Sequence, residues 1–162
     1  MKILIATDGS DYSFMAVKRA CEIVVKPESS EIRIISVFSD LAGMAAEPLE
    51  ISSEKFHELE NIGKVQSSEF TLKAEQIIRD HFPQQDIRIS MTVGKGPATY
   101  KILEEAEKWN ADLIVVGSLG HNFLSRFFLG SVSDGIVKHA KCSVLIVREK
   151  LEKTRDPDRS KK

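Results

Sequence analysis

Cysteine is scarce in this chain, and the little that is present forms no recognisable pair. The two cysteines, Cys21 and Cys142, lie in apolar stretches of sequence, and neither belongs to a C-x-x-C motif. Isolated cysteines of this kind usually behave as small buried hydrophobic residues. The sequence therefore favours that role over a disulfide or a shared metal site, and it fits a reducing compartment, so we expect a cytoplasmic protein.

The chain also lacks an excess of charge and any long apolar run. Its 23 Lys and Arg residues nearly balance 24 Asp and Glu residues, and the formal net charge is -1. No bulk field attracts nucleic acid or an anionic membrane surface, and we expect neither as a partner. The first apolar run meets Asp8 before it is long enough for a signal-peptide core, and no segment is long enough for a membrane span.

Two common nucleotide-binding signatures are absent. No G-x-G-x-x-G follows the first apolar run, and neither Gly63-Lys64 nor Gly94-Lys95 precedes the Ser or Thr of a Walker A motif. These absences argue against a Rossmann dehydrogenase and a P-loop NTPase. The histidines also lack metal-ligand spacing, so no metal site is predicted on His57, His81, His121 and His139.

The pattern that is present predicts five strands alternating with helices. The strands are predicted at residues 2–7, 31–38, 87–93, 113–116 and 143–147, and the helices at residues 10–26, 52–81, 97–109 and 132–140. This alternation implies right-handed crossovers and a parallel sheet covered on both faces, so the predicted fold class is α/β. The third strand is polar on one side, which indicates a position at an edge of the sheet.

The remaining segments set the predicted boundaries. Residues 39–51 carry Gly43 and Pro48 and are predicted to form an irregular loop, and Pro97 suits the first position of its helix. Residues 150–162 are charged and lack apolar periodicity. We therefore predict one domain over residues 1–149, followed by a solvated and disordered tail.

Residues 112–131 are the stretch best suited to hold a ligand, because a strand, a loop and a helix follow one another there. Gly117, Gly120 and Gly130 have the spacing G-x-x-G, nine residues, Gly-Ser. Glycine permits a positive φ or a close approach of the backbone to a ligand, and a helix N-terminus at this edge of a sheet offers N–H donors to an anion. The pattern predicts a phosphate-binding loop. The plainer alternative is a turn followed by an ordinary helix start.

This glycine pattern resembles the ATP-binding motif of the universal stress protein family, the UspA superfamily. Other landmarks similar to that family are Asp8-Gly9-Ser10, Gly96-Pro97, residues 111–116 and residues 142–147, so the resemblance covers almost the whole chain up to about Glu149. The resemblance implies a Rossmann-like, five-stranded parallel sheet in the order 3-2-1-4-5. It also implies a dimer with ATP at the carboxyl ends of strands one and four.

The site residues come from the same resemblance. Asp8 would lie near the adenine and ribose, Val37 would line the base, Val116 would pack on the nucleoside, and backbone amides would hold the phosphates. The cofactor-binding residues implied are Ala6, Thr7, Asp8, Val37, Val116, Gly117, Gly120, Arg126, Gly130, Ser131 and Val132. Mg²⁺ or Mn²⁺ would be held through the phosphates. For Asp8 the plainer alternative is a turn former.

Three positions depart from the family pattern. Leu119 stands where a basic residue is common, Ser36 where a histidine is common, and Ser143 where a proline is common. Leu119 matters most, because a missing cation weakens phosphate affinity. Arg126 either compensates for it or is a solvated loop cation.

These features predict an ATP-binding regulatory or stress-response protein with slow or no hydrolysis. No spacing orders Ser118, Ser131 or His121 as a catalytic triad, so no catalytic residue is predicted. The alternatives are an adenine nucleotide hydrolase and a nucleotide-free dimeric scaffold. A homodimer is expected through strand five, because an edge strand leaves backbone groups unpaired; the residues are Val144, Leu145, Ile146 and Val147.

Overall fold

The structure, a computed structural model, describes residues 1–39, 52–119 and 129–148. Within these ranges the strands are β1 (Lys2–Ala6), β2 (Glu31–Phe38), β3 (Arg88–Lys95), β4 (Leu113–Gly117) and β5 (Ser143–Val147). The helices are α1 (Asp11–Ile23), α2 (Ser53–His81), α3 (Ala98–Trp109) and α4 (Ser131–His139), and Pro27–Ser29 forms a turn of 3₁₀-helix.

All five strands are parallel and form one sheet in the order β3-β2-β1-β4-β5. The predicted α/β class and strand order are therefore confirmed. Strand β1 lies at the centre, where Ile3 pairs with Ile32 of β2 and with Leu113 of β4. Ile3, Leu4 and Ile5 are fully buried, as expected for a strand covered on both faces.

Helices α1 and α2 cover one face of the sheet, and α3 and α4 cover the other. Alternate side chains of β1 divide between the two cores because successive residues of a strand point to opposite faces. On the first face Ile5 packs in one buried cluster with Val17 and Ile78. On the second face Leu4 shares a cluster with Ile102 and Ile136.

The helix starts follow their capping residues. Ser10 is the N-cap of α1, and its hydroxyl accepts a hydrogen bond from Ser13 N. Ser52 caps α2 in the same way, and α2 continues through Gly63 as one helix. The predicted start of α3 was wrong by one residue, because Pro97 is the N-cap and the first helical residue is Ala98.

Other observed boundaries differ from the predicted ones where pairing with a neighbouring strand decides where a strand ends. Strand β1 ends at Ala6, although Thr7 N still donates to Ile35 O at 2.9 Å. Strand β3 continues through Gly94 and Lys95, which pair with the end of β2. The strand predicted to end at residue 93 therefore ends at Lys95, and the turn begins at Gly96, whose φ of 124° requires glycine. The sequence does not show this shift, because it comes from the length of the neighbouring strand.

Strands β3 and β5 form the two edges of the sheet, and the predicted edge position of β3 is confirmed. Both cysteines are free thiols, but only Cys21 is buried, since Cys142 is partly exposed. Burial raises the pKa of the Cys21 thiol to about 11, which keeps it protonated and unreactive near neutral pH.

No helix in the described part of the chain is both long and apolar enough to cross a membrane. The loop predicted within residues 39–51 and the tail predicted at residues 150–162 fall almost entirely outside the described residues.

Candidate functional site

A cavity of about 370 Å³ opens at the carboxyl edge of the sheet, where β1 and β4 lie side by side. The connections that leave these two strands run to opposite faces, α1 to one and α4 to the other. Open α/β sheets bind ligands at such a point. The lining residues come from three strands, three helices and the segments next to them: Ala6, Thr7, Asp8, Ser13, Ile35, Val37, Ala98, Ile102, Val116, Gly117, Leu119, Gly130, Ser131, Val132 and Ser133.

The structure brings nine of the sequence-predicted site residues to this one cavity. They are Ala6, Thr7, Asp8, Val37, Val116, Gly117, Gly130, Ser131 and Val132. The other two, Gly120 and Arg126, lie outside the described residues. The nine residues are spread over most of the chain and meet because parallel strands end at the same edge. That they bind a nucleotide stays a prediction.

Six lining residues were not among the predicted site residues: Ser13, Ile35, Ala98, Ile102, Leu119 and Ser133. Ile35 and Ile102 look like ordinary core residues in the sequence, and their position at the end of the core follows only from the fold. The sequence contains a signal that could have identified Ala98 as a site residue, because Ala98 directly follows the Gly96-Pro97 landmark. Ser133 had one too, since it is the third residue of a helix that begins at Ser131.

The turn after β1 holds Asp8 by a network of hydrogen bonds. Asp8 Oδ1 accepts from Ser10 N at 3.0 Å and from Ser10 Oγ at 2.6 Å. Gly9 makes the turn with a φ of 81°, and its amide donates to Thr7 Oγ1. Thr7 Oγ1 also lies 2.9 Å from Ser13 Oγ in the first turn of α1. Asp8 is thus a turn former, and it also lines the cavity.

Gly117 ends β4 where the chain passes close to α1. A Cβ at this position would lie 2.9 Å from both the carbonyl carbon and the oxygen of Tyr12, which no real side chain permits. From the sequence, this glycine is attributed to a positive φ or to a close approach of the backbone to a ligand. The described structure explains the glycine without a ligand, because the close approach is to the backbone of α1 at Tyr12.

Helix α4 begins at the cavity without a side-chain cap. Gly130 is its N-cap, and no side chain there accepts a hydrogen bond from the first turn. The first helical hydrogen bond runs from Asp134 N to Gly130 O. The amides of Ser131, Val132 and Ser133 precede it, and a helix leaves its first amides without backbone partners. The positive end of the helix dipole lies at the same place.

Hydrogen bonds also join the two chain segments that flank the predicted phosphate loop. Gly130 N donates to Ser118 O at 2.9 Å, and Ser118 N donates to Val147 O at 2.8 Å. Ser133 Oγ lies 2.9 Å from Gly130 O and 3.2 Å from Ser118 O. These contacts fix the start of α4 against the end of β4, although residues 120–128 lie outside the described part.

The charge of the cavity is small. Asp8 is the one charged side chain among the described lining residues. Leu119, which the family pattern would replace by a basic residue, is buried and forms part of the wall. Asp134 in the first turn of α4 is paired with Lys138 at 2.7 Å. The attraction for an anion in the described cavity therefore rests on the amides and dipole of α4, and on those of α3, whose N-cap Pro97 also provides no side-chain cap.

Together these groups offer three kinds of contact: an apolar wall for a flat ring, the Asp8 carboxylate for hydroxyl donors, and amides for an anion. Hydroxyl groups are present, but Ser13 Oγ donates to Ser10 O and Ser133 Oγ to a backbone carbonyl. Neither is placed as an activated nucleophile. Among the described residues, no group of three or more His, Cys, Asp or Glu side chains is arranged to hold a metal ion.

Comparison with known proteins agrees with this fold. The universal stress protein family model matches residues 1–148. Universal stress protein MJ0531 of Methanocaldococcus jannaschii is 36% identical over 148 residues, which cover 91% of this chain and 82% of that protein.

Two solved structures show the same fold. Universal stress protein UspA from Lactobacillus plantarum superposes with a TM-score of 0.76 at 22% identity, covering 91% of this chain and 97% of that one. A universal stress protein in complex with cAMP superposes with a TM-score of 0.65 at 23% identity, covering 91% and 96%. Sequence and structure agree over the same region, and the chain belongs to the universal stress protein family.

Proposed function

We propose that this protein binds ATP in the cavity between β1 and β4 and acts as a nucleotide-dependent regulator in a stress response, with slow or no hydrolysis. The observation that carries the proposal is the uncapped start of α4, which opens onto a cavity with an apolar wall and a carboxylate. An anion attached to a flat nucleoside matches that combination of groups.

The proposed orientation follows from the chemistry of the two ends. The phosphates lie at the amides of Ser131, Val132 and Ser133, because those donors and the helix dipole favour negative charge. The ribose hydroxyls donate to Asp8, and the adenine packs between Val37 and Val116. Mg²⁺ or Mn²⁺ is held through the phosphates, since Mg²⁺ in nucleotide sites commonly needs few protein ligands.

Two further observations support the proposal. Nine residues that the family resemblance assigns to the nucleotide line one cavity. A universal stress protein of the same fold has been solved with cAMP, so this fold is able to accommodate an adenine nucleotide. A hydrolase is the alternative; the hydroxyls of Ser13 and Ser133 offer it no free attacking group, because both are hydrogen-bonded within the protein.

Calorimetric titration with ATP, together with thermal unfolding, tests the proposal. We expect saturable binding of one ATP per chain and a melting temperature that rises with ATP concentration, because a ligand of the folded state stabilises it by mass action. Adenosine and inorganic triphosphate should each bind more weakly than ATP. Absence of both saturation and thermal stabilisation at millimolar ATP would contradict the proposal.

We also propose that the protein is a homodimer that pairs through β5. This strand lies at an edge of the sheet, and Val144, Leu145 and Ile146 are only partly buried within one chain. An edge strand of this kind can pair with a second copy. Sedimentation equilibrium should give twice the mass of one chain, and a monomer at all concentrations would refute the dimer.

A further inference from the structure

A second cavity, of about 320 Å³, lies between the end of β2 and the middle of α2. It opens on the α2 side of the sheet, whereas the nucleotide cavity opens on the side of α3 and α4. The two cavities share only Asp8 and Val37 among their described lining residues. The other residues of the second cavity are Ser36, Phe38, Ser39, Leu59, Gly63, Gln66, Ser67 and Phe70.

The wall of this second cavity contains a buried hydroxyl without a hydrogen bond. The side chains of β2 on this face are Ile32, Ile34 and then Ser36, and the two isoleucines are fully buried in the core. Ser36 is 1% exposed, and in the described structure its Oγ has no hydrogen-bond partner. Buried polar groups nearly always have a partner. A hydroxyl at a position that suits isoleucine therefore points to a group that is not part of the protein.

The buried residues of helix α2 also become more polar where the helix passes the second cavity. Near its C-terminus the buried residues are Ile78 and Ala74, whereas towards the cavity they are Thr71 and Ser67. Gly63 follows on the same side, and a Cβ there would lie 3.1 Å from the ring of Phe38. Glycine is unfavourable inside a helix, so its presence here needs a reason. The apolar core thus gives way to small and polar residues next to the cavity.

The residues that line the second cavity limit the kinds of ligand that it can bind. The rings of Phe38 and Phe70 and the side chain of Leu59 provide apolar contact, and Ser36 and Ser67 provide hydroxyls. Asp8 is the one charged group among the described lining residues, and it disfavours an anion. Aromatic walls suit a flat ring, and a cavity of this size suits a small molecule.

We propose that this cavity is a second ligand site, separate from the nucleotide site, for a small uncharged aromatic molecule that carries a hydroxyl group. The ring packs against Phe38, Leu59 and Phe70, and the hydroxyl forms a hydrogen bond with Ser36 or Ser67. Phe70 also packs on Gly9, where a Cβ would lie 2.3 Å from its ring. A ligand in the second cavity therefore touches the turn that holds Asp8.

Phenol is a suitable probe, and amide NMR shifts of the full-length chain report where it binds. In the wild type we expect saturable shifts at Gly63, Ser67 and Phe70 at millimolar phenol. Ser36→Ala should weaken phenol binding about fivefold, the equivalent of one net hydrogen bond, without lowering the melting temperature. Ser67→Leu should abolish phenol binding by filling the cavity.

The matched control is Ser30→Ala, at the other end of β2. Ser30 is also buried, but its hydroxyl donates to Lys26 O at 2.9 Å. This variant should lower the melting temperature and leave phenol binding unchanged. The proposal is overturned by the absence of saturable shifts at 20 mM phenol (roughly the weak limit for a fragment-sized ligand), or by equal phenol affinity in the wild type, Ser36→Ala and Ser67→Leu.

The structure of a crystal soaked in phenol distinguishes bound phenol from an ordered water molecule in the cavity. Phenol in the cavity supports the proposal, and an ordered water alone on Ser36 Oγ overturns it. ATP titration of the same samples tests the proposed ATP site independently of the proposed phenol site. Saturable ATP binding without phenol binding rejects only the second site, and phenol binding without ATP binding rejects only the proposed function.

Discussion

Three helices, α1, α3 and α4, begin beside the proposed nucleotide cavity, and the first turns of α1 and α4 differ. Helix α1 begins after Ser10, whose hydroxyl accepts from Ser13 N, while Asp8 accepts from the amide of Ser10. Helix α4 begins after Gly130, which has no side chain to accept a hydrogen bond. Both N-termini lie at the carboxyl edge of the sheet, and both have the positive end of a helix dipole.

We infer from this difference that a helix N-terminus serves as an anion site where the protein leaves its amides without a side-chain cap. At α1 the Ser10 hydroxyl accepts from one first-turn amide, that of Ser13, and Asp8 accepts from the amide of the N-cap residue Ser10. The dipole stabilises the turn and the Asp8 carboxylate. At α4 the corresponding donors have no side-chain cap. We therefore expect α4 to hold the phosphates, whereas α1 orients Asp8 towards the nucleoside.

The largest expected effect comes from giving α4 a charged cap. Gly130 has a φ of −61°, and among the described residues a Cβ there meets nothing closer than 3.4 Å, so Gly130→Asp should fold. The new carboxylate would lie at the proposed phosphate position, where repulsion at 4 Å is about 4 kcal/mol at an effective dielectric constant near 20. We expect ATP affinity to fall at least about 30-fold in calorimetry, with adenosine binding unchanged.

The neutral variant Gly130→Asn is the matched control for the charged cap. Its side chain has the same shape and also caps the amides, so it should lower ATP affinity less than Gly130→Asp does. If both variants bind ATP as the wild type does, α4 does not hold the phosphates.

A smaller effect is expected from removing the cap of α1. Ser10→Ala should lower the free energy of unfolding by about 1 kcal/mol, because Ser13 N loses its acceptor, and the melting temperature by about 2–4 °C. It should also lower ATP affinity a few-fold in calorimetry, since Asp8 loses a donor. Ser52→Ala removes the equivalent cap of α2 and should lower stability alone. Equal ATP affinity in the two variants would show that the Asp8 turn does not depend on Ser10.

The smallest effect is expected from salt. The amides and dipole of α4 attract phosphate electrostatically, and ions screen such attraction more strongly as the Debye length falls from about 10 Å at 0.1 M to about 3 Å at 1 M. At constant Mg²⁺ we expect ATP affinity to fall about threefold over this range, and adenosine affinity to stay constant. Equal salt dependence of both ligands would argue against an electrostatic phosphate site at α4.

Much of the fold could be predicted because its signals are local. Apolar periodicity predicted the strands and helices. The strand order came from the family resemblance, since periodicity carries no information on which strands are neighbours. The errors, such as those at the ends of β1 and β3 and at the start of α3, lie at element ends, where pairing with a neighbouring strand or the geometry of one residue moves the boundary.

The candidate site could be predicted in part. The glycine spacing indicated the loop, and the resemblance indicated Asp8 and Val37. Ile102 and Ser133 were missed because they line the cavity only after α3 and α4 pack on the same face. The packing reason for a glycine at position 117 could not be predicted either, because the backbone it contacts, at Tyr12, lies about a hundred residues away in the chain.

The sequence by itself determined the number, type and order of the elements, because periodicity, capping residues and glycine spacing act over a few residues. Only the tertiary structure decided that the uncapped start of α4 lies at the cavity between β1 and β4, and that the Ser36 hydroxyl lies buried beside a second cavity. Both facts depend on which distant segments pack together, and the sheet brings those segments to one edge.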